Sequence, residues 1–291
     1  MASIRILGTG GTIASRRTAA GGLAASARAE ELIRTLPRRH TVSVRDIMVS
    51  ESYRLQFSDL RTIAQAARNA LADTTVDGVV ITHGTDTMEE TAFLLDLVHA
   101  SPKPVVFTGS VRPLDSSAAD GPSNLEEAVE AAAAPELRDA GVLVSFAGAV
   151  RSVRGLHKAS TVAADPFAGG IEVAHFIGDT LHVTARPLRP APVAMPTGDF
   201  DTTRVEIIDC SPGTGTELLS FAVHAGSDAV VLAGTGSGNA GPGFVEAVQD
   251  AVRAGCFVVL SSRVPEGPVV PAYGAGEEWT WFVPEPFPPE T

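Results

Sequence analysis

Hydroxyl and carboxylate side chains lie in the sequence where an apolar strand gives way to a helix. Residues 79–81 are apolar and β-branched, as in a strand buried on both faces, and a helical pattern follows from residue 92. Thr85 and Asp86 stand between them. Ligands of open α/β sheets bind at such strand–helix turns, and helix N-termini favour anions. The stretch predicts either a ligand site or an ordinary turn, with Asp86 and Glu89 forming a capping box.

A second hydroxyl-bearing loop opens the chain. Residues 4–7, Ile-Arg-Ile-Leu, are predicted to form a short strand, and Gly-Thr-Gly-Gly-Thr-Ile-Ala follows at residues 8–14. Ile13 occupies the position of the third glycine in the dinucleotide-binding fingerprint, and no Gly-Lys-Ser/Thr follows. Neither a dinucleotide nor a phosphate loop is therefore predicted. The hydroxyl of Thr12 is predicted to act either as a reactive group or as the N-cap of a helix.

Together the two loops resemble the two signature motifs of the bacterial-type L-asparaginase family. Residues 9–14 match the first motif, and His-Gly-Thr-Asp-Thr-Met-Glu-Glu-Thr at residues 83–91 matches the second almost letter for letter. The resemblance runs from about residue 4 to residue 267. It implies a two-domain α/β fold, with a larger N-terminal, mostly parallel sheet flanked by helices and a smaller C-terminal α/β domain. It also implies hydrolysis of the side-chain amide of L-asparagine to L-aspartate and ammonia.

The resemblance implies four catalytic residues, Thr12, Thr85, Asp86 and Lys158. Thr12 would attack the amide carbon and form an acyl-enzyme, and a threonine needs a base to take its proton. Thr85, activated through Asp86 and Lys158, would handle protons and position the second-step water. Which threonine attacks first stays open. Lys158 lies in Arg-Gly-Leu-His-Lys-Ala-Ser-Thr, which is similar to the family's lysine loop, and a structural ion pair is the alternative role.

Substrate-binding residues also follow from the resemblance. Ser52 corresponds to a serine that binds the substrate's α-carboxylate, with Ser50 as the alternative if the register slips. Thr85 lines the same site, and Asp86 would take the α-ammonium group, because a carboxylate is the natural partner of a buried cation. Ser110 is expected near the substrate amide, and Asn239 is expected to reach a neighbouring subunit's site. No metal and no organic cofactor is implied.

Composition excludes several classes of partner. The formal net charge is −12 and the pI is near 5.0, which disfavours a nucleic acid, since its phosphates need a basic face. Cys210 and Cys256 are the only cysteines, so buried thiols are expected rather than a disulfide framework or a metal site. No span of 18 apolar residues and no apolar signal region is present, so no membrane contact and a cytoplasmic location are expected.

Strand and helix patterns alternate along the chain, which predicts a parallel sheet with helices on both faces. Residues 1–186 are predicted to be the catalytic domain. Residues 187–204 carry four closely spaced prolines and no long apolar run, so they are predicted to be a semi-rigid linker. A smaller α/β domain is predicted over residues 205–291, where the pattern of strands and helices resumes.

Two features depart from the family pattern. Residues 15–30 form a small, glycine-rich stretch without the mobile-loop tyrosine, and Tyr273 is the candidate replacement. Glu277 or Glu278 would replace a family glutamate only with a shifted backbone. The family's closing helix is missing, and we predict that the tail instead docks on the second domain through its large apolar residues, Trp279, Trp281, Phe282 and Phe287.

Three other functions are compatible with these residues. The first is an ammonia-supplying amidotransferase subunit, which is disfavoured because such subunits carry a further domain. The second is a pseudoenzyme that binds asparagine or glutamine without turnover, favoured by the missing tyrosine and short tail. The third is a preference for glutamine over asparagine. If Asn239 completes a partner's site, a homo-oligomer follows, either a dimer or a tetramer.

Overall fold

The computed structural model describes residues 1–270, and they fall into two compact units. The first unit is Met1–Asp201, and the second begins at Thr202. The division lies inside segment 187–204, which the sequence predicts to be a linker. The end of the first unit is tied to its helices, because the Arg61 guanidinium binds the Asp201 carboxylate through two hydrogen bonds of 2.7 and 2.5 Å.

A mixed sheet forms the centre of the first unit. The strands, in chain order, are β1 (Ser3–Gly10), β2 (Ser15–Arg17), β3 (Leu23–Ala25), β4 (Thr41–Ser50), β5 (Gly78–Thr82), β6 (Val105–Thr108), β7 (Val142–Phe146), β8 (Ala149–Ser152), β9 (His157–Lys158), β10 (Phe167–Ala168), β11 (Glu172–Ile177) and β12 (Thr180–Val183). Eight of these strands form one sheet in the order β12-β11-β8-β7-β6-β5-β1-β4. Pairing is parallel from β4 to β7 and antiparallel from β7 to β12.

Helices cover both faces of the parallel strands. They are α1 (Ala29–Leu32), α2 (Phe57–Ala72), α3 (Met88–Val98) and α4 (Gly121–Ala133). One core layer joins α1 and α4 to the sheet, and the layer on the opposite face joins α2 and α3 to it. The predicted two-domain α/β fold with a mostly parallel first sheet is confirmed. The sequence does not predict the antiparallel strands β8, β11 and β12, which extend one edge of this sheet.

Local sequence explains the central elements. All five residues of β5 are buried, as expected for a continuous apolar run in the middle of a parallel sheet. Helix α2 buries a stripe that includes Ile63, Ala67 and Leu71, spaced at helical intervals. Its start is fixed by a capping box in which the Gln56 backbone N–H donates to the Asp59 carboxylate (2.9 Å).

The glycine-rich stretch after residue 14 contains regular structure. Its sequence has no helical or strand period and therefore predicts a surface loop. In the structure, however, β2 and β3 pair as a short antiparallel hairpin from Ser15↔Ala25 to Arg17↔Leu23. The turn between the strands is closed by Thr18 N–H donating to Gly22 O (2.8 Å). Strands of three residues give too few alternating positions for the sequence pattern to reveal them.

The described part of the second unit, residues 202–270, contains a parallel three-stranded sheet and two helices. They are β13 (Val205–Asp209), α5 (Glu217–His224), β14 (Ala229–Gly234), α6 (Phe244–Arg253) and β15 (Phe257–Ser262), with the strand order β13-β14-β15. The core lies on one face of the sheet and includes both cysteines as free, buried thiols, as predicted. On the other face Val205, Ile207 and Phe257 are exposed. The predicted docking of the tail, with its two tryptophans, falls on residues outside 1–270.

Candidate active site

Four loops leave neighbouring strands at one edge of the first sheet. They follow the carboxyl ends of β1, β4, β5 and β6 and carry, in turn, Thr12, Ser52, Thr85 with Asp86, and Ser110. The four strands are parallel and adjacent in the order β4-β1-β5-β6. From β1 the chain proceeds to β4 on one side and then to β5 on the other, so the winding of the sheet reverses at β1. Ligands of open α/β sheets bind at such a point, outside the carboxyl ends of the strands.

The main chains of these loops approach so closely that glycine is required at two positions. Gly11 has a φ of +80°, and a Cβ placed on it would lie 2.4 Å from Gly84 N. A Cβ on Gly84 would in turn lie 2.5 Å from Ser52 Oγ. A larger residue at either position would push the loops apart. The loops that carry Thr12, Ser52 and Thr85 are therefore in close contact, through the backbone at Gly11 and through the Ser52 side chain at Gly84.

Lys158 reaches the turn after β5 from the short strand β9. Its Nζ donates to Thr85 Oγ1 (2.9 Å) and pairs with Asp86 Oδ1 (2.6 Å). Thr85 is buried and Lys158 is half-buried, whereas 55% of the Asp86 side chain is exposed. The structure brings together three of the residues that the family resemblance selects. It gives the Thr85 hydroxyl an amine neighbour with which a proton can be exchanged.

The predicted capping box of Asp86 and Glu89 is wrong. Helix α3 has Thr87 as its N-cap residue, without a side-chain cap. Both carboxylates bind Lys158 instead: Asp86 pairs with its Nζ, and Glu89 accepts a short hydrogen bond from its backbone N–H. Capping boxes are recognised from local spacing, whereas this partner lies 69 residues beyond Glu89.

Thr12 begins a single 3₁₀ turn directly after β1. Ala14 N–H and Ser15 Oγ both donate to Gly11 O, at 3.0 and 2.9 Å, and these bonds hold the turn. Gly11, not Thr12, is the N-cap residue, so Thr12 does not have the alternative N-cap role. Its side chain is half-buried, and its hydroxyl makes no hydrogen bond within residues 1–270. A hydroxyl that is positioned but not used by the fold suits a nucleophile.

Two serines compete for the predicted carboxylate-binding role. Ser52 is buried, its carbonyl oxygen accepts a hydrogen bond from Thr87 Oγ1 (2.9 Å), and its own Oγ lies against Gly84. Ser50 Oγ donates to Glu51 O (3.2 Å) within its own turn. The contact with the turn after β5 favours Ser52.

The two other predicted binding residues occupy different units. Ser110 is buried after β6, and its Oγ donates to Arg112 O (2.9 Å). Asn239 lies in the second unit, where its Nδ2 donates to Thr235 O (3.3 Å) across a tight loop. The structure describes a single chain, so the contact of Asn239 with a neighbouring subunit stays a prediction.

Comparison with known proteins identifies the family. Residues 3–189 match the family description "Asparaginase, N-terminal", and residues 204–280 match "Glutaminase/Asparaginase C-terminal domain". The chain belongs to the asparaginase family. The family predicted from the two signature motifs is thus confirmed.

Relatives of this asparaginase cover most of its length. It is 36% identical over 283 residues to L-asparaginase 2 of Bacillus subtilis (strain 168), covering 92% of this chain and 75% of that protein. It is 30% identical over 298 residues to the glutaminase-asparaginase of Pseudomonas fluorescens biotype A, covering 97% and 82%. The crystal structure of the probable cytoplasmic L-asparaginase from Campylobacter jejuni superposes with a TM-score of 0.81 at 30% identity, covering 91% of this chain and 84% of that one.

The departures of this asparaginase from its family pattern concern the mobile-loop tyrosine and the family glutamate. Tyr53 follows Ser52 directly and is exposed, with the Arg54 guanidinium 5.3 Å from the centre of its ring. Tyr273, Glu277 and Glu278 lie outside the described residues.

The helices of residues 1–270 are all too short or too polar to span a lipid bilayer. Within the same residues, no cluster of three or more His, Cys, Asp or Glu side chains is arranged to hold a metal ion.

A buried histidine lies immediately before the turn that carries Thr85 and Asp86. His83 is fully buried, and its Nδ1–H donates to Gly84 O (2.7 Å). The sequence predicts a structural histidine with its hydrogen bonds satisfied. The structure differs on the second point, since Nε2 has no partner in the described part of the chain. Burial lowers the pKa of His83 to about 4, so the ring is neutral near pH 7.

Acid is expected to destabilise the protein through the rings of His83 and His99. Burial, and next the charge of Arg189, also lower the pKa of His99 to about 4. Between pH 6.5 and 4 the unfolded state binds protons at both rings and the folded state does not. The free energy of unfolding should therefore fall as the pH falls, by about 1.4 kcal/mol per pH unit for each ring. Denaturant titrations at several pH values measure this slope.

The variant His83→Gln separates this ring from the carboxylates that titrate in the same range. It should show a shallower slope between pH 6.5 and 5 than the parent. Equal slopes in the parent and His83→Gln would contradict the assignment.

Proposed function

We propose that the protein is an L-asparaginase, which hydrolyses the side-chain amide of L-asparagine to L-aspartate and ammonia. The observation that carries the proposal is the contact of Lys158 Nζ with Thr85 Oγ1 (2.9 Å) and Asp86 Oδ1 (2.6 Å). Thr85 and Asp86 share the carboxyl edge of the sheet with the loop of Thr12, and Lys158 reaches them from β9. The names of the relatives, L-asparaginase and glutaminase-asparaginase, support the same reaction.

In the first step, Thr12 Oγ attacks the carbon of the side-chain amide. A carbon–oxygen bond forms, and the carbon–nitrogen bond of the tetrahedral intermediate then breaks. The proton from Thr12 passes through the proton-handling groups to the departing nitrogen, which leaves as ammonia. Backbone N–H groups near Thr12 and Thr85 stabilise the oxyanion. The product is an ester between the aspartyl group and the threonine.

In the second step, water hydrolyses this ester. Thr85 Oγ1 takes a proton from the water and passes its own proton to Lys158 Nζ when that amine is neutral, while Asp86 orients the amine. The arrangement explains why a lysine occupies this position, since an arginine cannot lose its proton under these conditions. Hydrolysis frees L-aspartate and returns the hydroxyl proton to Thr12.

Substrate selection involves groups that bind the amino acid part of asparagine. Ser52 donates to the α-carboxylate, and the exposed Asp86 carboxylate accepts from the α-ammonium group. Ser110 lies in the next loop and supports the amide end. Glutaminase activity is the second candidate function, because the relative from Pseudomonas fluorescens biotype A is named glutaminase-asparaginase.

A coupled assay of ammonia release tests the proposal. With L-asparagine as substrate, steady release is expected, and the same assay with L-glutamine measures the second activity. Binding of asparagine by calorimetry without any ammonia release would instead identify a pseudoenzyme. Ammonia release only in the presence of an acceptor enzyme would identify an amidotransferase subunit.

The assembly is expected to be an even-numbered homo-oligomer, a dimer or a tetramer. We propose that Asn239, on the tight loop of the second unit, completes the site of a partner subunit. Light scattering coupled to size exclusion measures the mass, and Asn239→Ala should raise KM for asparagine without changing that mass. A fully active monomer would contradict the prediction.

We also propose a cytoplasmic location, because the structural neighbour from Campylobacter jejuni is described as a probable cytoplasmic L-asparaginase. The proposed partners are small amino acids, and the net charge of −12 disfavours binding to nucleic acids.

A further inference from the structure

One side of helix α3 faces the segment that carries Lys158. Glu89, Phe93 and Asp96 are four and three residues apart, so they lie along one side of the helix. All three contact the segment that runs from Arg154 to Lys158. These residues form a row of contacts between the helix that follows the catalytic turn and the lysine.

The contacts differ in kind. Glu89 accepts a short hydrogen bond from the backbone N–H of Lys158. The Arg154 guanidinium lies 5.3 Å from the centre of the Phe93 ring, within the range of a cation–π contact. Its Nε lies 3.0 Å from Asp96 Oδ2, and because the N–H is not aligned on that oxygen, the contact is an ion pair rather than a directed hydrogen bond.

Lys158 needs support of this kind because its own strand is very short. Strand β9 has two residues and, among residues 1–270, pairs only with β10, through Phe167↔Lys158 and Ala168↔His157. Helix α3 begins two residues after Asp86 and is packed into the core. A segment fastened to α3 is thereby fixed relative to Thr85 and Asp86.

We propose that Glu89 and Arg154 are positioning residues that hold Lys158 Nζ against Thr85 Oγ1 and Asp86 Oδ1. The inference rests on the proposed function, since it assumes that Lys158 exchanges a proton during asparagine hydrolysis. Glu89 fixes the backbone of the lysine, and Arg154 anchors the start of the same segment to Asp96. Glu89 lies in the second signature motif and Arg154 in the lysine loop, but the family resemblance assigns neither a catalytic nor a substrate-binding role.

The structure indicates that Arg154 can be replaced without unfolding the protein. Asp96 is buried, but it keeps two other partners when Arg154 is removed: Val142 N–H (3.1 Å) and Arg189 (3.5 Å). The Arg154 side chain is 35% exposed. The loss should therefore act mainly on the position of the lysine segment.

Steady-state kinetics of Arg154→Met and Glu89→Met test the proposal. Each should lower kcat for asparagine about 10- to 100-fold, since a displacement of about 1 Å in a catalytic group costs up to a hundredfold. KM should stay within about threefold, because the groups proposed to bind the substrate stay in place. Arg154→Lys and Glu89→Gln keep a cation and an acceptor oxygen, so they should recover part of the loss.

A matched control comes from a second ion pair in the same unit. Arg61 pairs with Asp201, and its side chain is 34% exposed, close to the value for Arg154. Arg61→Met removes an equivalent charge away from the lysine segment and should keep parental kcat. Thermal unfolding of every variant shows whether a loss of activity reflects a loss of structure.

Double variants that also carry Lys158→Met distinguish a positioning role from a general loss of structure. If Arg154 and Glu89 act through the lysine, their substitution should cause no further loss of kcat in the Lys158→Met background. Parental kcat in both single variants, or the same fold loss with and without the lysine, would overturn the inference. Absence of ammonia release by the parent would instead overturn the proposed function, so the two failures are distinguishable.

Discussion

Thr12→Ala and Thr85→Val are each expected to lower kcat for asparagine at least about a thousandfold, the scale of losing a nucleophile or its proton acceptor. Thr12 has a hydroxyl that the described fold does not use, so its removal deletes chemistry and little else. Thr85→Val keeps the shape of the buried side chain and removes the oxygen that Lys158 contacts. The ammonia-release assay measures both effects.

Thr91→Val is the matched control for these substitutions. Thr91 belongs to the same signature motif and is buried, but its hydroxyl donates to Thr87 O inside helix α3 (3.0 Å). Its replacement should change kcat by less than about threefold. Near-parental turnover in Thr12→Ala or in Thr85→Val would show that the residue concerned has no catalytic role.

Lys158→Met is expected to lower kcat at least about a hundredfold, within the range for a lost acid–base group, and to leave the melting temperature nearly unchanged. Methionine replaces the aliphatic stem of the lysine but cannot exchange a proton with Thr85. Asp86 is exposed to solvent, so loss of its partner leaves no buried charge. Calorimetry and steady-state kinetics on the same preparation measure both quantities.

Lys103→Met provides the control, since residues 103 and 158 are the two lysines of the chain. Lys103 Nζ donates to Leu71 O (2.9 Å) and Asp73 O (2.7 Å), so its loss should reduce stability and preserve activity. A rise of kcat with pH in the parent that disappears in Lys158→Met would support the proton relay. Full activity of Lys158→Met at neutral pH would rule the relay out.

Local patterns allowed much of the fold to be predicted. The buried run of β5, the apolar stripe of α2 and the parallel arrangement of the strands follow from the spacing of apolar residues. The grouping of the site loops follows from the same arrangement, because the carboxyl ends of parallel strands share an edge. The contact of Lys158 with Thr85 and Asp86 required the family resemblance, since 73 and 72 residues separate them.

Features that depend on distant partners could not be predicted in this way. The carboxylate of Glu89 fits a local capping box as well as it fits the distant backbone N–H of Lys158, and only the tertiary packing decides between them. Arg154 begins the segment that is similar to the family's lysine loop, but the sequence does not reveal its distant partners, Phe93 and Asp96. Strands β9 and β10 have two residues each, which is too short for an alternating pattern.

The glycine contacts between the site loops also limit how the substrate range of this protein can be engineered. A Cβ on Gly11 would meet the backbone at Gly84, and no choice of side chain elsewhere can relieve that contact, whereas a Cβ on Gly84 would meet the Ser52 side chain. Room for a longer amide must come from residues whose side chains can be shortened or exchanged. Mutant libraries should therefore keep both glycines and vary the positions around Ser52 and Ser110, where a new substrate can be selected without separating the loops.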